Sequence, residues 1–367
     1  MHYEDDNRIV MTLDAGGTNF VFSAIQGNRE VVEPVTLPSN AHDLKLCLNT
    51  ILDGFHLVKK NLAEDPVAIS FAFPGPADYP AGIIGDLGNL PAFRGGVALG
   101  PMLEEKFQLP VFINNDGDLF AYGEALAGFL PEVNLKLRKL GSYKQYRNLF
   151  GVTLGTGFGA GIVRNGELFL GDNSAGAEIW LMRHMNLDTF VEEGASIRAV
   201  QRIYSQEAGL KSSILPTPKD IYEIATGQKK GNRQAANWAF EELGKVVGDA
   251  LSNAITLVDG LIVIGGGLAG AHSVFFPRLI QQMNSHIPAL TGKNVDRLEV
   301  KVYNLEDEAE FFTFAQGGGK EIFVPGTSRK IHWDPVKRLG VGISRLGTSK
   351  AVALGAYAFA LYSLDQN

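Results

Sequence analysis

Apolar runs along the chain are separated by glycine-rich turns and by polar stretches with helical spacing. Residues 9–13 and 20–25 are rich in Val, Ile and Phe, so each predicts a strand. Between them lies Asp14-Ala15-Gly16-Gly17-Thr18-Asn19. Gln26-Gly27-Asn28-Arg29 is a turn signal, and Val31 and Val32 predict a third strand. Leu44, Leu48, Ile51, Leu52, Phe55, Val58 and Leu62 recur every three or four residues and predict an amphipathic helix over 44–62. Residues 67–73 predict a buried strand stopped by Pro74-Gly75-Pro76, 99–107 a helix, and 111–113 a short strand. An alanine-rich helix is expected over 119–130, followed over 131–148 by a solvated connector carrying Lys136, Arg138, Lys139, Lys144 and Arg147.

The next segment repeats the opening one. Residues 149–154 predict a strand, and Gly155-Thr156-Gly157-Phe158-Gly159-Ala160-Gly161 a glycine turn. Ile162-Val163 is a second strand, Arg164-Asn165-Gly166-Glu167 a type I′ hairpin turn, and 168–170 a third strand. Thr12-Leu13-Asp14 lines up with Thr153-Leu154-Gly155, and Gln26-Gly27-Asn28 falls near Arg164-Asn165-Gly166. Two copies of one hairpin unit predict two related half-molecules facing a shared cleft. Helices are expected over 196–206 and 220–226, with a Pro-containing loop between them. The most regular helical spacing in the chain runs over 238–258. A short strand, 261–264, ends in Gly265-Gly266-Gly267-Leu268-Ala269-Gly270. Residues 298–345 read as irregular, and 349–364 as an alanine-rich helix.

Composition narrows the class. At 367 residues and 45% hydrophobic content the chain is long enough for two domains. A formal net charge of −7 argues against nucleic acid or an anionic membrane as partner. The acidic start, Met1-His2-Tyr3-Glu4-Asp5-Asp6, is not a secretory signal. The apolar stretch 351–364 is too short to span a bilayer. Cys47 is the only cysteine, so no internal disulfide and no cysteine-based metal cluster can form. A cytoplasmic protein is expected.

The candidate chemistry sits where predicted strands stop. A glycine pair between strands lets the backbone approach a ligand and turn N–H groups toward an anion, and Asp14 is placed to hold a metal through water. Taken alone, the same stretch reads as an ordinary hairpin turn. Asn114-Asn115-Asp116-Gly117-Asp118 marks a strand-to-helix junction, where polyol-binding side chains and a helix N-cap are both consistent readings. The triple glycine at Gly265, Gly266 and Gly267 allows flat approach of a base or ribose, or is only a tight turn. Neither the Gly16-Gly17 loop nor the 155–161 loop ends in Gly-Lys-Ser/Thr or leads into a helix, so both fail the P-loop and the dinucleotide fingerprint.

In this order the motifs resemble the ROK family of bacterial sugar kinases. They are Asp14-Ala-Gly-Gly-Thr18, Asn115-Asp116, Leu154-Gly-Thr-Gly-Phe-Gly-Ala-Gly161 and Ile264-Gly-Gly-Gly267. The likeness covers residues 8–298 and 346–364. It implies an α/β fold of two ribonuclease H-like (actin-like ATPase) domains around a central cleft. A small domain is expected over 1–117 plus 350–367, and a large one over 118–349.

The resemblance further implies phosphoryl transfer from Mg-ATP to a hexose hydroxyl, with Asp116 as general base. Asp14 would hold Mg²⁺ through water. Gly16, Gly17, Gly155 and Gly157 would cradle phosphates with Thr18 and Thr156 as hydroxyl donors, and Gly265, Gly266 and Gly267 would line the adenosine pocket. Asn89, Asn115, Glu178 and Glu192 match sugar-binding positions.

The chain also departs from the pattern. The family continues Glu-x-Gly-His, with a His that touches sugar and helps bind zinc, whereas here Glu178-Ile179-Trp180-Leu181 lacks it. The cysteine-rich zinc loop is missing, so no zinc is expected, and His184 reads as structural or surface. Glu192 and Ser196 keep the Glu-x-x-x-Ser spacing. The stretch 298–345 lies outside the pattern and reads as a lid or an oligomer contact. A glucokinase-like enzyme is expected, a homo-oligomer (dimer) whose other partners are a hexose and Mg-ATP. A non-catalytic sugar or nucleotide sensor is the rival. A repressor of the same family would need a helix-turn-helix ahead of the first hairpin, where only eight residues precede Ile9.

Overall fold

The computed structural model describes residues 3–210 and 215–366. Met1, His2 and Asn367, at the ends of the expected small domain, and 211–214 of the expected Pro-containing loop lie outside the described residues. Packing divides the chain into two units, one of Met1–Gly128, Gly161–Ala177 and Arg345–Asn367, the other of Phe129–Ala160 and Glu178–Ser344.

In the first unit, β1 (Val10–Ala15) and β2 (Asn19–Gln26) pair antiparallel. Both β3 (Arg29–Glu30) and β4 (Val35–Pro38) add to β2. The strand expected at Val31 and Val32 is thus split to either side of them. Pro34 lacks the N–H a ladder needs, although the Val31 N–H still reaches the Ala24 carbonyl at 3.0 Å.

Helix α1 (Leu44–Asn61) starts at Asp43, whose carboxylate accepts from the Leu46 N–H at 3.0 Å. It buries Cys47, Thr50, Ile51, Gly54, Phe55 and Val58. Of the predicted stripe, Ile51, Phe55 and Val58 are buried, while Leu44, Leu48, Leu52 and Leu62 are half-buried against the same core. Strand β5 (Ala68–Ala72) returns parallel to β1. A small sheet of β6 (Ala77–Asp78), β7 (Ile83–Ile84) and β8 (Val97–Ala98) precedes α2 (Leu99–Phe107). Strand β9 (Val111–Asn114) then joins parallel to β5. The main sheet runs β3-β2-β1-β5-β9, and one of its faces packs on α1 through a core that includes Phe20, Phe22, Phe55 and Phe71. Helix α3 (Asp116–Leu126) begins and ends earlier than the alanine-rich stretch suggests. Asn115 caps its start, and the Ala127 N–H closes its end on the Gly123 carbonyl.

The second unit opens with α4 (Phe129–Lys139), where a connector was expected. Phe129, Val133 and Leu137 recur every four residues and are buried with Leu130, while Lys136, Arg138 and Lys139 are exposed. The charge run masked a helical stripe. Strands β10 (Leu149–Leu154), β11 (Phe158–Arg164) and β12 (Glu167–Phe169) form the repeated hairpin unit, whose residues from Gly161 onward fall in the first unit. Its turn has Asn165 and Gly166 at φ of 55° and 86°, as a type I′ turn requires.

Helices α5 (Ile197–Glu207), α6 (Pro218–Ala225) and α7 (Arg233–Val258) lead to β13 (Leu261–Gly265), which lies parallel to β10. Helix α8 (His272–Met283) and the hairpin of β14 (His286–Pro288) and β15 (Asn294–Asp296) follow, and the apolar pattern did not predict them. Residues 298–345 are not irregular. They hold β16 (Lys301–Asn304), α9 (Glu308–Gln316), the hairpin of β17 (Lys320–Phe323) and β18 (Lys330–Trp333), and β19 (Arg338–Ile343). The sheet runs β12-β11-β10-β13-β19-β16, with β13, β19 and β16 parallel. Gly340 and Gly342 weaken the strand signal of β19, and a side chain at either would strike Leu305 or Phe129. Each sheet therefore passes from an antiparallel hairpin unit to parallel crossover strands, as the internal repeat predicts.

The first unit is completed by α10 (Thr348–Gln366), which packs along α3. The two backbones meet at glycine. A Cβ on Gly355 would collide with the Leu119 carbonyl, and one on Gly123 with the Ala351 carbonyl. Backbone on both sides leaves no side chain to move aside. Gly355→Ala is therefore expected to lower stability by about 1–3 kcal/mol, despite the ~1 kcal/mol that alanine gains in a helix interior. Urea unfolding checks this, and an unchanged or higher midpoint would contradict the close approach.

Candidate active site

The first group of candidate residues is assembled by strand register. Asp14 on β1 lies opposite Ala72 on β5, and Ala72 lies opposite Asn114 on β9. All three stand at the carboxyl ends of parallel strands, where open α/β sheets bind ligands. Asp14 is exposed there, and Asp116 follows two residues beyond Asn114.

The Asp116 carboxyl is pushed above the ordinary carboxylate value of 3.8. Burial is the main cause, the N–H groups of Gly117 and of Asp116 itself pull the other way, and the charge of Asp14 adds to the rise. The side chain still keeps surface open to water. The nearby Asp14 carboxylate gives the same upward direction independently of how deeply the carboxyl is buried.

Asn115 has a structural task. Its Oδ1 accepts from the Gly117 N–H at 2.8 Å as the cap of α3, and its Nδ2 lies 3.5 Å from the Tyr79 hydroxyl. That hydroxyl donates to the Phe73 carbonyl at 3.0 Å. In the turn between β1 and β2, the Ser39 hydroxyl donates to the Gly17 carbonyl at 2.7 Å, and the Ser39 N–H to the Thr18 carbonyl at 2.9 Å. Ser39 is buried, and the motif did not single it out. Gly16 is needed because a Cβ there would come within 2.8 Å of the Asn19 carbonyl. Exposed Asn89 lies beside Gly17, its carbonyl 3.8 Å from where a Cβ of Gly17 would be.

The second group lies in the other unit. Thr153 on β10 is opposite Gly265 on β13, so the two glycine loops leave adjacent strand ends. The Leu268 N–H donates to the Leu154 carbonyl at 3.0 Å. Gly266, at φ 87°, leaves no room for a Cβ against the Leu154 backbone. The loop holding Gly155, Thr156 and Gly157 is closed by a bond from the Gly155 N–H to the Gly157 carbonyl at 3.0 Å. Glu192 is tied into it: its Oε2 accepts from the Phe158 N–H at 2.9 Å and its Oε1 from Arg198 at 2.8 Å.

Glu178 is exposed, and its Oε2 accepts from the Trp180 indole N–H. Trp180 meets Phe190 edge-on at 5.8 Å. His184 is buried, its Nδ1 accepting from the N–H groups of Asn186 and Leu187 at 3.1 and 3.2 Å. It is structural, and burial with the nearby Arg202 charge pushes its pKa down. Among the described residues no three His, Cys, Asp or Glu side chains cluster as metal ligands. Asp14 fits a different kind of site, since Mg²⁺ keeps several waters and commonly takes only one or two carboxylates beside substrate phosphates.

Residues 10–311 match the ROK family. The chain belongs to that family. It is 58% identical to a solved glucokinase from Parabacteroides distasonis, covering 99% of each chain with a TM-score of 0.90. It is 26% identical to a glucokinase from Halalkalibacterium halodurans, over 83% of this chain and 92% of that protein. It is 25% identical to an N-acetyl-D-glucosamine kinase from Vibrio cholerae, over 75% of this chain and 89% of that one. The α/β architecture is the actin-like ATPase fold of the ROK family.

Arg183 and Phe190 form a bridge and the Val191 N–H meets the Met182 carbonyl at 2.7 Å, so a short turn occupies residues 182–191. Leu181 is 57% exposed, so it does not take up a packing role in the core.

The cap at Asn115 gives a stability test. Asn115→Ala should cost about 1 kcal/mol, read by urea unfolding, while Asn115→Asp should retain most of the parent stability because it keeps the accepting oxygen. Equal loss in both variants would show that the cap is not what Asn115 contributes.

Proposed function

We propose that this sugar kinase of the ROK family transfers the γ-phosphoryl group of ATP to a hexose, at the 6-hydroxyl of glucose or a close relative. The observation that carries the reading is the register row Asp14, Ala72 and Asn114, which sets two carboxylates, Asp14 and Asp116, at one end of a parallel sheet. Phosphoryl transfer of this kind depends on positioning and charge neutralisation, with one residue accepting the hydroxyl proton.

In this reading Asp116 is the base. It takes the proton as the sugar oxygen bonds to the γ-phosphorus and the bond to the bridging oxygen of ADP breaks. Its raised pKa brings it closer to the operating pH, which suits a general base. Asp14 would hold Mg²⁺ through water, and the ion would neutralise phosphate charge. The N–H groups of Gly16, Gly17, Gly155 and Gly157 and the hydroxyls of Thr18 and Thr156 would bind phosphates, and Gly265, Gly266 and Gly267 would receive the adenosine. Asn89, Asn115, Glu178 and Glu192 would bind sugar hydroxyls, each replacing a water partner. Trp180 supports this for Glu178, since its indole N–H fixes one carboxylate oxygen and leaves the other to a hydroxyl.

Asp116→Asn is expected to abolish turnover in a coupled ADP-release assay while leaving calorimetric binding of glucose and nucleotide nearly intact; equal rates in mutant and parent would remove Asp116 from the role. The parent kcat/KM should fall as pH drops through an apparent pKa above 3.8, because protonated Asp116 cannot accept. Trp180→Phe keeps the ring but loses the N–H, and should raise the sugar KM several-fold with little change in the ATP KM, on the roughly 1 kcal/mol of a hydrogen bond. Turnover measured across glucose, mannose, fructose, allose, N-acetylglucosamine and N-acetylmannosamine assigns the substrate. No turnover on any of them would replace the kinase by a sugar sensor.

A further inference from the structure

Glu192 and the glycine loop over 155–157 form one hydrogen-bonded assembly within the second unit. One carboxylate oxygen of Glu192 accepts from the Phe158 N–H, at the exit of the loop. The other accepts from Nη2 of Arg198 at 2.8 Å. Arg198 then turns back to the loop, its Nη1 donating to the Thr156 carbonyl at 3.3 Å. Glu193 holds the guanidinium in place, accepting from Nε at 3.2 Å and from Nη2 at 2.8 Å. The backbone follows the same path, since the Ile197 N–H donates to the Gly155 carbonyl at 2.8 Å and the Ser196 hydroxyl to the Glu192 carbonyl at 2.8 Å. Gly157 is required by this arrangement, because a Cβ there would come within 2.8 Å of the Glu192 carboxylate.

We propose that Arg198 is a positioning residue that couples sugar binding at Glu192 to the geometry of the 155–157 phosphate loop. The inference rests on the kinase reading above, in which Glu192 meets the sugar and the loop meets the nucleotide. A carboxylate offers about four lone-pair sites, so a sugar hydroxyl can add to Glu192 while the bonds to Phe158 and Arg198 persist. Any reorientation of the carboxylate is then passed to the loop on both sides, through the Phe158 N–H and through Arg198 to the Thr156 carbonyl. The planar fork of arginine is what allows one side chain to reach Glu192, Glu193 and Thr156 together; a lysine ammonium is a point charge and cannot span all three in fixed geometry. The coupling must be reciprocal, so nucleotide tightens sugar by the factor with which sugar tightens nucleotide.

The test is calorimetric titration of the full chain with Mg²⁺ and AMP-PNP, a non-transferring ATP analogue, with and without saturating glucose. In the parent, glucose should lower the AMP-PNP Kd by roughly five-fold or more, the low end of ordinary coupling. In Arg198→Met that factor should fall to about one, with the Kd of each ligand alone changed less than the factor itself. Arg198→Lys should keep part of it, and this variant is read alone should Arg198→Met fail to fold. A mere structural role for Arg198 would weaken both ligands and leave the factor unchanged, which would overturn the proposal. A parent that binds both ligands independently would also overturn it while leaving the kinase reading standing. A parent that binds neither glucose nor AMP-PNP would instead remove the kinase reading, and the coupling with it.

Discussion

Parallel pairing of β1, β5 and β9 is the constraint on which the first unit's candidate site depends. Hydrogen bonding between backbones puts Asp14, Ala72 and Asn114 on one row, and the chain turns away beyond that row. Side chains alternate between faces along a strand, so a slip of one residue would carry Asp14 to the opposite face of the sheet. What holds the register is apolar: Met11 and Leu13 lie in the core on the α1 side with Phe20, Phe22 and Phe71. The placement of two carboxylates therefore follows from the packing of apolar residues buried beneath them.

Much of this architecture was legible along the chain. The stripe of α1, the burial of β5 and the long periodic run of α7 all stand where apolar spacing puts them. The repeat of the hairpin unit anticipated that the two sheets share one plan. The failures have physical causes. In α4 a genuine four-residue repeat lay under a run of lysines and arginines, and charge was given more weight than period. In β19 alternating glycines removed the side chains from which a strand is recognised, because close neighbours leave no space for them. The second of these is a tertiary effect with no local signature.

The candidate site was legible in a different way. Strand ends and glycine loops announce themselves by residue type, so Asp14, Asp116 and the three glycine stretches could be singled out one by one. What joins them could not. Asn115 was read with two open meanings, and it does serve as a cap. Arg198 and Trp180 carried no motif, because what sets them apart is only which carboxylate each one reaches in the fold. Ser39, which fastens the first glycine turn, lies far along the chain from the residues it holds. Partners separated by a fold leave no spacing to read.

The glycine contact between α3 and α10 also bears on how the protein is made. Residues 1–128 of the first unit leave the ribosome early, but the helix that covers α3 is translated only after the whole second unit. Until then the face of α3 that carries Gly123 has no cover, and the first unit is an incomplete intermediate while the second can already gather its own sheet. Assembly is thus not vectorial. The opening segment of the first unit waits for its closing helix, and a nascent chain stalled short of Thr348 would lack the helix that packs along α3.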